Sequence, residues 1–373
     1  MSNVANVLGK FDVSIAELVK KYQAEGKKMI GVSPIHMPVE MVYASGMIPM
    51  GLWGGSGEVS AAKEYFPAFY CSIVQRVMEM SLTGQLNCLS GIMVSIQCDS
   101  LKALGQNIRR AVGDKIPYIH VAMAQNRKLE CGVDFNETQY RKVKSQLEEI
   151  KGDFFSDEDI EKAIKLYNKS KKLMQEFVAV AADYPQIITP SKRSQVLTIA
   201  NYMDRAEYVE LLEELIAELK KEEVKPWDGK KIVTTGIMTS LPSLNEILEE
   251  NKLAIVEDEV AEESRQFRTL VDEDTNNPIR ALAKYLGDIE GCSVMYDADK
   301  LRSDMIIEKV KKSGADGVLY VQTKFCDPEE FDYPIFKKAL ENAGIKMVMI
   351  EVDQQMTNFE QARTSLQTFA EML

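Results

Sequence analysis

The chain has 373 residues, of which 45% are hydrophobic and 27% charged, and its formal net charge is −12. This length exceeds what one hydrophobic core usually serves, so we expect two or three domains. The acidic balance argues against nucleic acid or an anionic membrane surface as a partner, because both attract basic surfaces. Since no stretch is apolar enough for a signal region or a spanning helix, we expect a cytoplasmic protein.

The first third of the chain alternates helical and strand patterns. Ser14 and Glu17 have the spacing of a capping box, which predicts a helix that ends before Gly26. The next predicted elements are a strand at 27–33, a helix at 38–46, a strand at 47–53, a helix at 72–84, a strand ending before Cys98, a helix at 100–113 and a strand at 117–123. This alternation is typical of a parallel sheet covered by helices.

The pattern then becomes entirely helical from about 137 to 224, and strands return after a Pro- and Gly-containing turn at 225–231. The later predicted strands are 231–238, 254–258, 317–323 and 346–352, before a closing amphipathic helix from Phe359. We therefore predict an α/β protein with an N-terminal α/β domain (1–136), a helical segment (137–228) and a C-terminal α/β domain (229–373). The two parallel-sheet domains are expected to be Rossmann-like and to face a cleft.

Two of the six cysteines end apolar runs in the same way, as Cys98-Asp99 and Cys326-Asp327. Ligands of open parallel sheets gather beyond the carboxyl ends of the strands, so these thiols are expected to converge on the cleft. Cys71 begins a predicted helix, where the thiolate form is favoured. For any cysteine taken singly, the alternative is a small buried hydrophobic side chain. That interpretation is kept for Cys88, Cys131 and Cys292, which lie in or beside helical patterns.

The spacing of Cys71, Cys98 and Cys326 matches no local metal-binding motif, since the chain contains no CxxC. Three dispersed thiolates instead indicate a site assembled by the tertiary structure. Soft sulfur ligands with no histidine nearby in sequence favour an iron-sulfur cluster. Three protein ligands on a four-iron cluster would leave one iron open to a small ligand.

Other motifs are weaker. Ser33 ends the first predicted strand and His36 follows it; both are candidate catalytic residues in the cleft, with turn or core packing as the alternative for His36. The glycine-rich segment 51–57 does not match GxGxxG and is predicted as a flexible loop. The acidic run 256–268 is predicted as a solvated helix face. No phosphate-binding GxxxxGK[ST] motif and no GxSxG motif is present.

Several long segments together resemble one known family. They are SPIHMPVEMVYASGMIPMGLWGG, YFPAFYCSIVQ, CDSLKALGQN, QNRKLE, VAEESRQFR, KFCDPEEFDYP and the C-terminal EVDQQ and EQARTSLQTFAEML. In this order they are similar to the 2-hydroxyacyl-CoA dehydratase family, related to benzoyl-CoA reductase subunits, and specifically to its beta subunits. The resemblance spans essentially the whole chain and puts Cys71, Cys98 and Cys326 at the positions of the cluster-binding cysteines.

The resemblance implies a lyase of anaerobic amino-acid fermentation that removes water from an (R)-2-hydroxyacyl-CoA to give an (E)-2-enoyl-CoA. It implies a ketyl radical on the substrate, a heterodimer in which each subunit carries a 4Fe-4S cluster, and a separate ATP-dependent iron-sulfur activator that binds transiently. This chain would relay the electron to an alpha-type subunit, with Asp99 and Asp327 around the cluster ligands. A flavin is left open as a further cofactor, and so is the acyl group.

The competing hypothesis is a two-lobed ligand-binding or scaffold protein whose cysteines are structural or bind zinc. It shares the two-domain architecture and differs in the metal content that it predicts.

Overall fold

The computed structural model describes residues 3–113 and 115–373. Its first part contains α1 (Asn3–Phe11), α2 (Ile15–Ala24), β1 (Met29–Val32), α3 (Val39–Ala44), β2 (Ile48–Gly51), α4 (Ser72–Leu82), β3 (Gly91–Ser95), α5 (Asp99–Val112) and β4 (Tyr118–Val121). The predicted capping box is confirmed, since Ser14 and Glu17 bond reciprocally at the start of α2. α1 lies before the first predicted helix and was missed from the sequence.

The middle of the chain is helical, with α6 (Glu130–Lys151), α7 (Asp157–Ala181), α8 (Pro190–Thr198) and α9 (Arg205–Leu219). The last part contains β5 (Lys230–Gly236), α10 (Pro242–Glu250), β6 (Leu253–Val260), α11 (Ser264–Phe267), α12 (Pro278–Asp288), α13 (Arg302–Ser313), β7 (Gly317–Thr323), α14 (Asp327–Asn342), β8 (Met347–Val352) and α15 (Glu360–Met372). Short 3-10 turns occur at Ala61–Glu64 and Ile199–Asn201.

The strands form two four-stranded sheets of identical order. One sheet has the order β2-β1-β3-β4 and the other β6-β5-β7-β8, and every pairing is parallel. The predicted α/β class with two Rossmann-like domains is therefore confirmed. In each sheet the strands that come first and third along the chain, β1 and β3 or β5 and β7, are neighbours. The connections that follow these two strands run in opposite directions across the sheet, which leaves a crevice at the carboxyl ends of the pair.

The central strands are largely apolar and buried because helices cover both faces of each sheet. Every residue of β1, β3 and β7 is buried. Gly105 lets α5 lie close to the first sheet, since a Cβ there would come within 2.5 Å of the Tyr118 hydroxyl. This close packing fixes α5, and with it the residue that precedes the helix, Cys98.

The helical segment packs against both sheet domains. α7 contacts α3 of the first domain, α11 of the second, and α9, and α9 in turn contacts α1. The Phe11 and Tyr208 rings meet edge to face with centroids 6.0 Å apart. The continuous core formed by these contacts holds the two sheets in one arrangement.

The acidic run 256–268 is buried, so the predicted solvated helix face is wrong. It comprises the end of β6 and all of α11, and Asp258, Glu259 and Glu263 are each at most 1% exposed. Arginines neutralise these carboxylates: Arg193 of the distant α8 pairs with Asp258 and Glu263, and Arg265 and Arg268 of the run itself approach Glu259. The sequence pattern could not show the contribution of Arg193.

The glycine-rich segment 51–57 is a loop after β2, as predicted, and hydrogen bonds hold it in place. The Arg76 guanidinium donates to the carbonyls of Gly55 and Glu58, and the Gly57 N–H donates to the Gln354 carbonyl at 3.3 Å. Gln354 also donates to the Trp53 carbonyl at 2.7 Å. This loop therefore joins the two sheet domains.

Among residues 3–113 and 115–373, no helix has the length and apolar character needed to cross a membrane.

Candidate functional site

Three cysteines occupy the same local position on three different helices. Cys71 is the N-cap residue of α4, Cys98 that of α5 and Cys326 that of α14. The first turn of a helix has backbone N–H groups without intrahelical partners, and the aligned peptide dipoles add partial positive charge there. Each sulfur therefore lies at the positive end of a helix dipole. The Leu101 N–H donates to Cys98 Sγ at 3.5 Å.

All three cysteines line one cavity of about 620 Å³, which we call the cysteine cavity. α4 and α5 supply one side from the first domain, and α14 supplies the opposite side from the second. A third wall is the 289–301 loop between α12 and α13, which contributes residues 293–298 and Lys300. The predicted convergence of Cys98, Cys326 and Cys71 on a cleft between domains is thus seen in the structure.

Burial raises the pKa values of all three thiols, and neighbouring cysteines raise those of Cys98 and Cys326 further. Burial raises the pKa of Cys71, and burial together with the Cys71 charge raises the pKa of Cys98 to about 12. The pKa of Cys326 lies well above its ordinary value because of burial, the Glu329 carboxylate and then Cys71 and Cys98. Three adjacent thiolates therefore repel each other, and a cationic centre bound between them would remove that repulsion.

The donor set fits a metal cluster better than a single ion. Across the described ranges, no three His, Cys, Asp or Glu side chains are close enough to hold one metal ion. A four-iron cluster contains several atoms, so the thiolates that bind it can lie farther apart than the ligands of a single metal ion. Cys71, Cys98 and Cys326 supply the soft sulfur donors that iron-sulfur clusters require.

Ser33 and His36 lie in a different cavity. This smaller space, of about 70 Å³, is also lined by Glu40, Lys171 and Tyr285. Burial lowers the pKa of His36 well below its usual value, and neighbouring arginines and Lys171 lower it further, so the imidazole is neutral. His36 Nε2 is 3.3 Å from Cys292 Sγ, and the Ser33 hydroxyl oxygen accepts from the Ser95 N–H at 3.1 Å. The structure does not bring these two candidates to the cysteine cavity.

The remaining cysteines differ in exposure. Cys292 is buried, as predicted, whereas Cys88 is half-buried and Cys131 is exposed. The prediction of a buried hydrophobic role is therefore wrong for Cys131. It is the second residue of the long helix α6 and lies on the solvent side of that helix. None of the three lines the cysteine cavity within the described parts of the chain.

The two carboxylates that were predicted to surround the cysteines are exposed, whereas a third carboxylate, which the sequence analysis missed, is buried. Asp99 and Asp327 line the cysteine cavity and are exposed, so their influence on the ligands stays a prediction. Glu329 is fully buried three residues after Cys326. Burial alone would raise the pKa of Glu329, but the charges of Arg302 and Arg265 hold it at about 2. No local sequence signal marks Glu329, because its arginine partners are distant in the chain.

Comparison with known proteins gives full-length relatives. The family model for the D-component of 2-hydroxyglutaryl-CoA dehydratase matches residues 34–373. The (R)-phenyllactyl-CoA dehydratase beta subunit of Clostridium sporogenes is 47% identical, over 100% of both chains. The lactoyl-CoA dehydratase subunit beta of Anaerotignum propionicum is 43% identical, also over 100% of both chains. The (R)-2-hydroxyglutaryl-CoA dehydratase subunit beta of Acidaminococcus fermentans is 42% identical, over 98% of this chain and 97% of that one.

Proposed function

The chain belongs to the 2-hydroxyacyl-CoA dehydratase family, as one of its beta subunits, and on that premise we propose that it relays an electron to the subunit that binds substrate. Membership confirms the resemblance seen in the sequence and makes the chain a component of a lyase. The relatives are named for phenyllactyl, lactoyl and 2-hydroxyglutaryl groups, so membership alone does not select an acyl group. The proposed overall reaction converts an (R)-2-hydroxyacyl-CoA to an (E)-2-enoyl-CoA.

The observation that carries the proposal is the meeting of three N-cap cysteines at one cavity. Cys71, Cys98 and Cys326 would hold a 4Fe-4S cluster, which supplies one-electron transfer when bound. The flavin left open from the sequence stays a prediction, because no residue is assigned to it.

The chain's own groups prepare the cavity for anionic ligands. The N-termini of α4, α5 and α14 direct partial positive charge at the three sulfurs, which offsets part of the rise in pKa that burial causes. N–H groups aimed at sulfur, such as that of Leu101, also disperse the negative charge that accompanies reduction. These contacts favour acceptance of an electron at this position.

The rim of the cysteine cavity is suited to a protein partner. Phe331 is 79% exposed and Tyr296 is 62% exposed, and both line the opening. Exposed aromatic side chains of this kind are enriched at protein interfaces. We propose that the alpha-type subunit binds over this rim, which would bring its redox centre near the cysteines, and that the ATP-dependent activator binds transiently and more weakly.

Proton transfer is assigned to no residue of this chain. Ser33 and His36 lie outside the cysteine cavity, and the neutral, buried His36 contacts Cys292. The acyl-CoA is proposed to bind at the heterodimer, with the carbonyl on the partner's side.

The proposal is tested by reconstitution under anaerobic conditions. The chain loaded with iron and sulfide is expected to be reducible yet to show no turnover of lactoyl-CoA, phenyllactyl-CoA or 2-hydroxyglutaryl-CoA. Turnover of one of these should begin only when an alpha-type subunit, the activator and ATP are all present. Dehydration by this chain and activator without the alpha-type subunit would contradict the relay assignment and place the substrate site here.

A further inference from the structure

A network of buried charges adjoins the cysteine cavity on the side of the second domain. At its centre is Glu329, in the first turn of the helix that Cys326 caps. The Glu329 N–H donates to the Cys326 carbonyl at 3.0 Å, so the backbone of this carboxylate residue is joined to that of the proposed ligand.

Four side chains from four different elements bind the Glu329 carboxylate. Oε2 accepts from the Tyr320 hydroxyl of β7 at 2.6 Å and from Arg302 Nη2 of α13 at 2.8 Å. Oε1 accepts from the Ser293 hydroxyl at 2.5 Å and from Arg265 Nη2 of α11 at 3.2 Å. Both oxygens thus have two donors each, and the two arginines keep the group ionised although it is buried.

One of these contacts joins two walls of the cysteine cavity. Ser293 lies in the 289–301 loop and lines the cavity, as do Cys326 and Asp327 at the start of α14. Arg265 Nη1 also donates to the Ser293 hydroxyl, at 3.0 Å, which fixes the loop to α11 as well. Loss of the Glu329 carboxylate would therefore remove a contact that holds the loop to α14 beside the cysteine cavity.

The charge of Glu329 also matters for reduction. Adding an electron to a group bound by Cys326 brings negative charge into a region of low dielectric constant, where a fixed carboxylate one helical turn away opposes it. Arg265 and Arg302 hold the carboxylate in place, and its removal would leave the charges of both cations less compensated near the helix that Cys326 caps.

We propose that Glu329 is a positioning residue of the cysteine cavity, which holds the Cys326 helix against the 289–301 loop and lowers the reduction potential of the group bound there. This inference rests on the proposed function, because it requires a redox group held by the cysteines. Glu329 does not touch the reacting atoms and acts through α14 and Ser293.

The test uses the full chain with its cluster reconstituted, and compares Glu329→Gln with Glu330→Gln. Glu330 is the next residue and is exposed, so water screens its charge. Glu329→Gln is expected to shift the midpoint potential, measured by redox titration with paramagnetic resonance, to a more positive value. The expected shift is at least tenfold in the reduced-to-oxidised ratio at a fixed potential, about 59 mV for one electron. Glu330→Gln should keep the potential of the unmodified chain.

A second variant covers the case in which Glu329→Gln does not fold. Ser293→Ala keeps every charge and removes only the hydroxyl that joins the loop to Glu329. It is expected to lose iron to a chelator several-fold faster than the unmodified chain, with Glu330→Gln again unchanged.

The outcomes separate the two ideas. Glu329→Gln with an intact cluster and an unshifted potential, or Ser293→Ala that loses iron at the unmodified rate, overturns the positioning role and leaves the proposed function standing. An unmodified chain that binds no iron overturns both.

Discussion

Cys98 and Cys326 occupy equivalent positions in the two sheets of the molecule. Each follows the third strand of its sheet, β3 or β7, and each is the N-cap residue of the next helix, α5 or α14. The sheets have the same strand order, and the two residues line one cavity from opposite domains. The site therefore depends on both domains, and Cys71 completes it from a third helix.

Replacing any one of Cys71, Cys98 and Cys326 with Ala is expected to abolish or sharply reduce iron bound after anaerobic reconstitution. Each replacement removes one of three thiolates, and no other cysteine in the described structure lines the cavity. The measurement is iron and acid-labile sulfide per chain.

The matched controls are Cys88→Ala and Cys131→Ala, which remove thiols outside the cavity and should leave the iron content unchanged. An unchanged iron content in Cys326→Ala would contradict the assignment of three ligands.

Air is expected to bleach the visible absorption of the reconstituted chain, and faster than that of a cluster with four protein ligands. The reason is that three thiolates leave one iron open, in a cavity that reaches the surface. Absorption and bound iron are measured during aeration, and a sample of the same protein kept under argon is the control. Because Cys131 is exposed, Cys131→Ala serves to exclude oxidation of that thiol. Iron retained after prolonged aeration speaks for a closed site or another metal.

Arg193→Met is expected to lower the free energy of unfolding by about 3 to 5 kcal/mol, because it removes the cation that compensates the buried carboxyl groups of Asp258 and Glu263. Arg363→Met is the control, since Arg363 and Glu250 form an exposed pair for which a loss of about 0 to 1 kcal/mol is typical. Both are measured by denaturant unfolding of the chain without metal. Equal losses for the two variants would refute the structural role given to the buried arginine.

Glu262 should make the unfolding free energy fall as the pH rises. Burial raises the pKa of Glu262 from 4.5 to about 7, in spite of the hydrogen bond from Ser240. Between these values the folded chain binds a proton that the unfolded chain has released, so this contribution is complete below pH 4.5 and is lost as the pH passes about 7. The full effect is about 3 kcal/mol.

Glu262→Gln is expected to remove this pH-dependent loss, whereas Glu246→Gln, at an exposed position of α10, should keep it. The measurement is denaturant unfolding at several pH values between 4.5 and 8. A Glu262→Gln profile parallel to that of the unmodified chain would show that Glu262 does not titrate in this range.

The sequence predicted the sheets and the meeting of the three cysteines because these depend on local signals. Apolar runs between helical patterns determine parallel strands, and a residue just after such a run lies at the carboxyl edge of its sheet. Cys98 and Cys326 satisfied this rule. Cys71 was placed from its position before a helical pattern, which the structure shows as its N-cap role.

Burial of charged residues was not predictable, because it depends on partners that are distant in the chain. Glu263 is neutralised by Arg193, 70 residues away in sequence, and Glu329 by Arg265, 64 residues away. His36 was expected near the cysteines because it follows β1. The backbone is left-handed at Ile35 and His36, and His36 lines a separate cavity. Hydrophobic periodicity does not indicate a left-handed turn at residue types that rarely adopt this conformation.

The most direct measurement is the metal content and spectrum of the chain produced and purified without oxygen. We predict about four iron and four sulfide per chain, a brown protein, and a paramagnetic signal after one-electron reduction. A folded, colourless chain that contains zinc or no metal, even after reconstitution with iron and sulfide, would contradict the account and favour a binding or scaffold protein with structural cysteines.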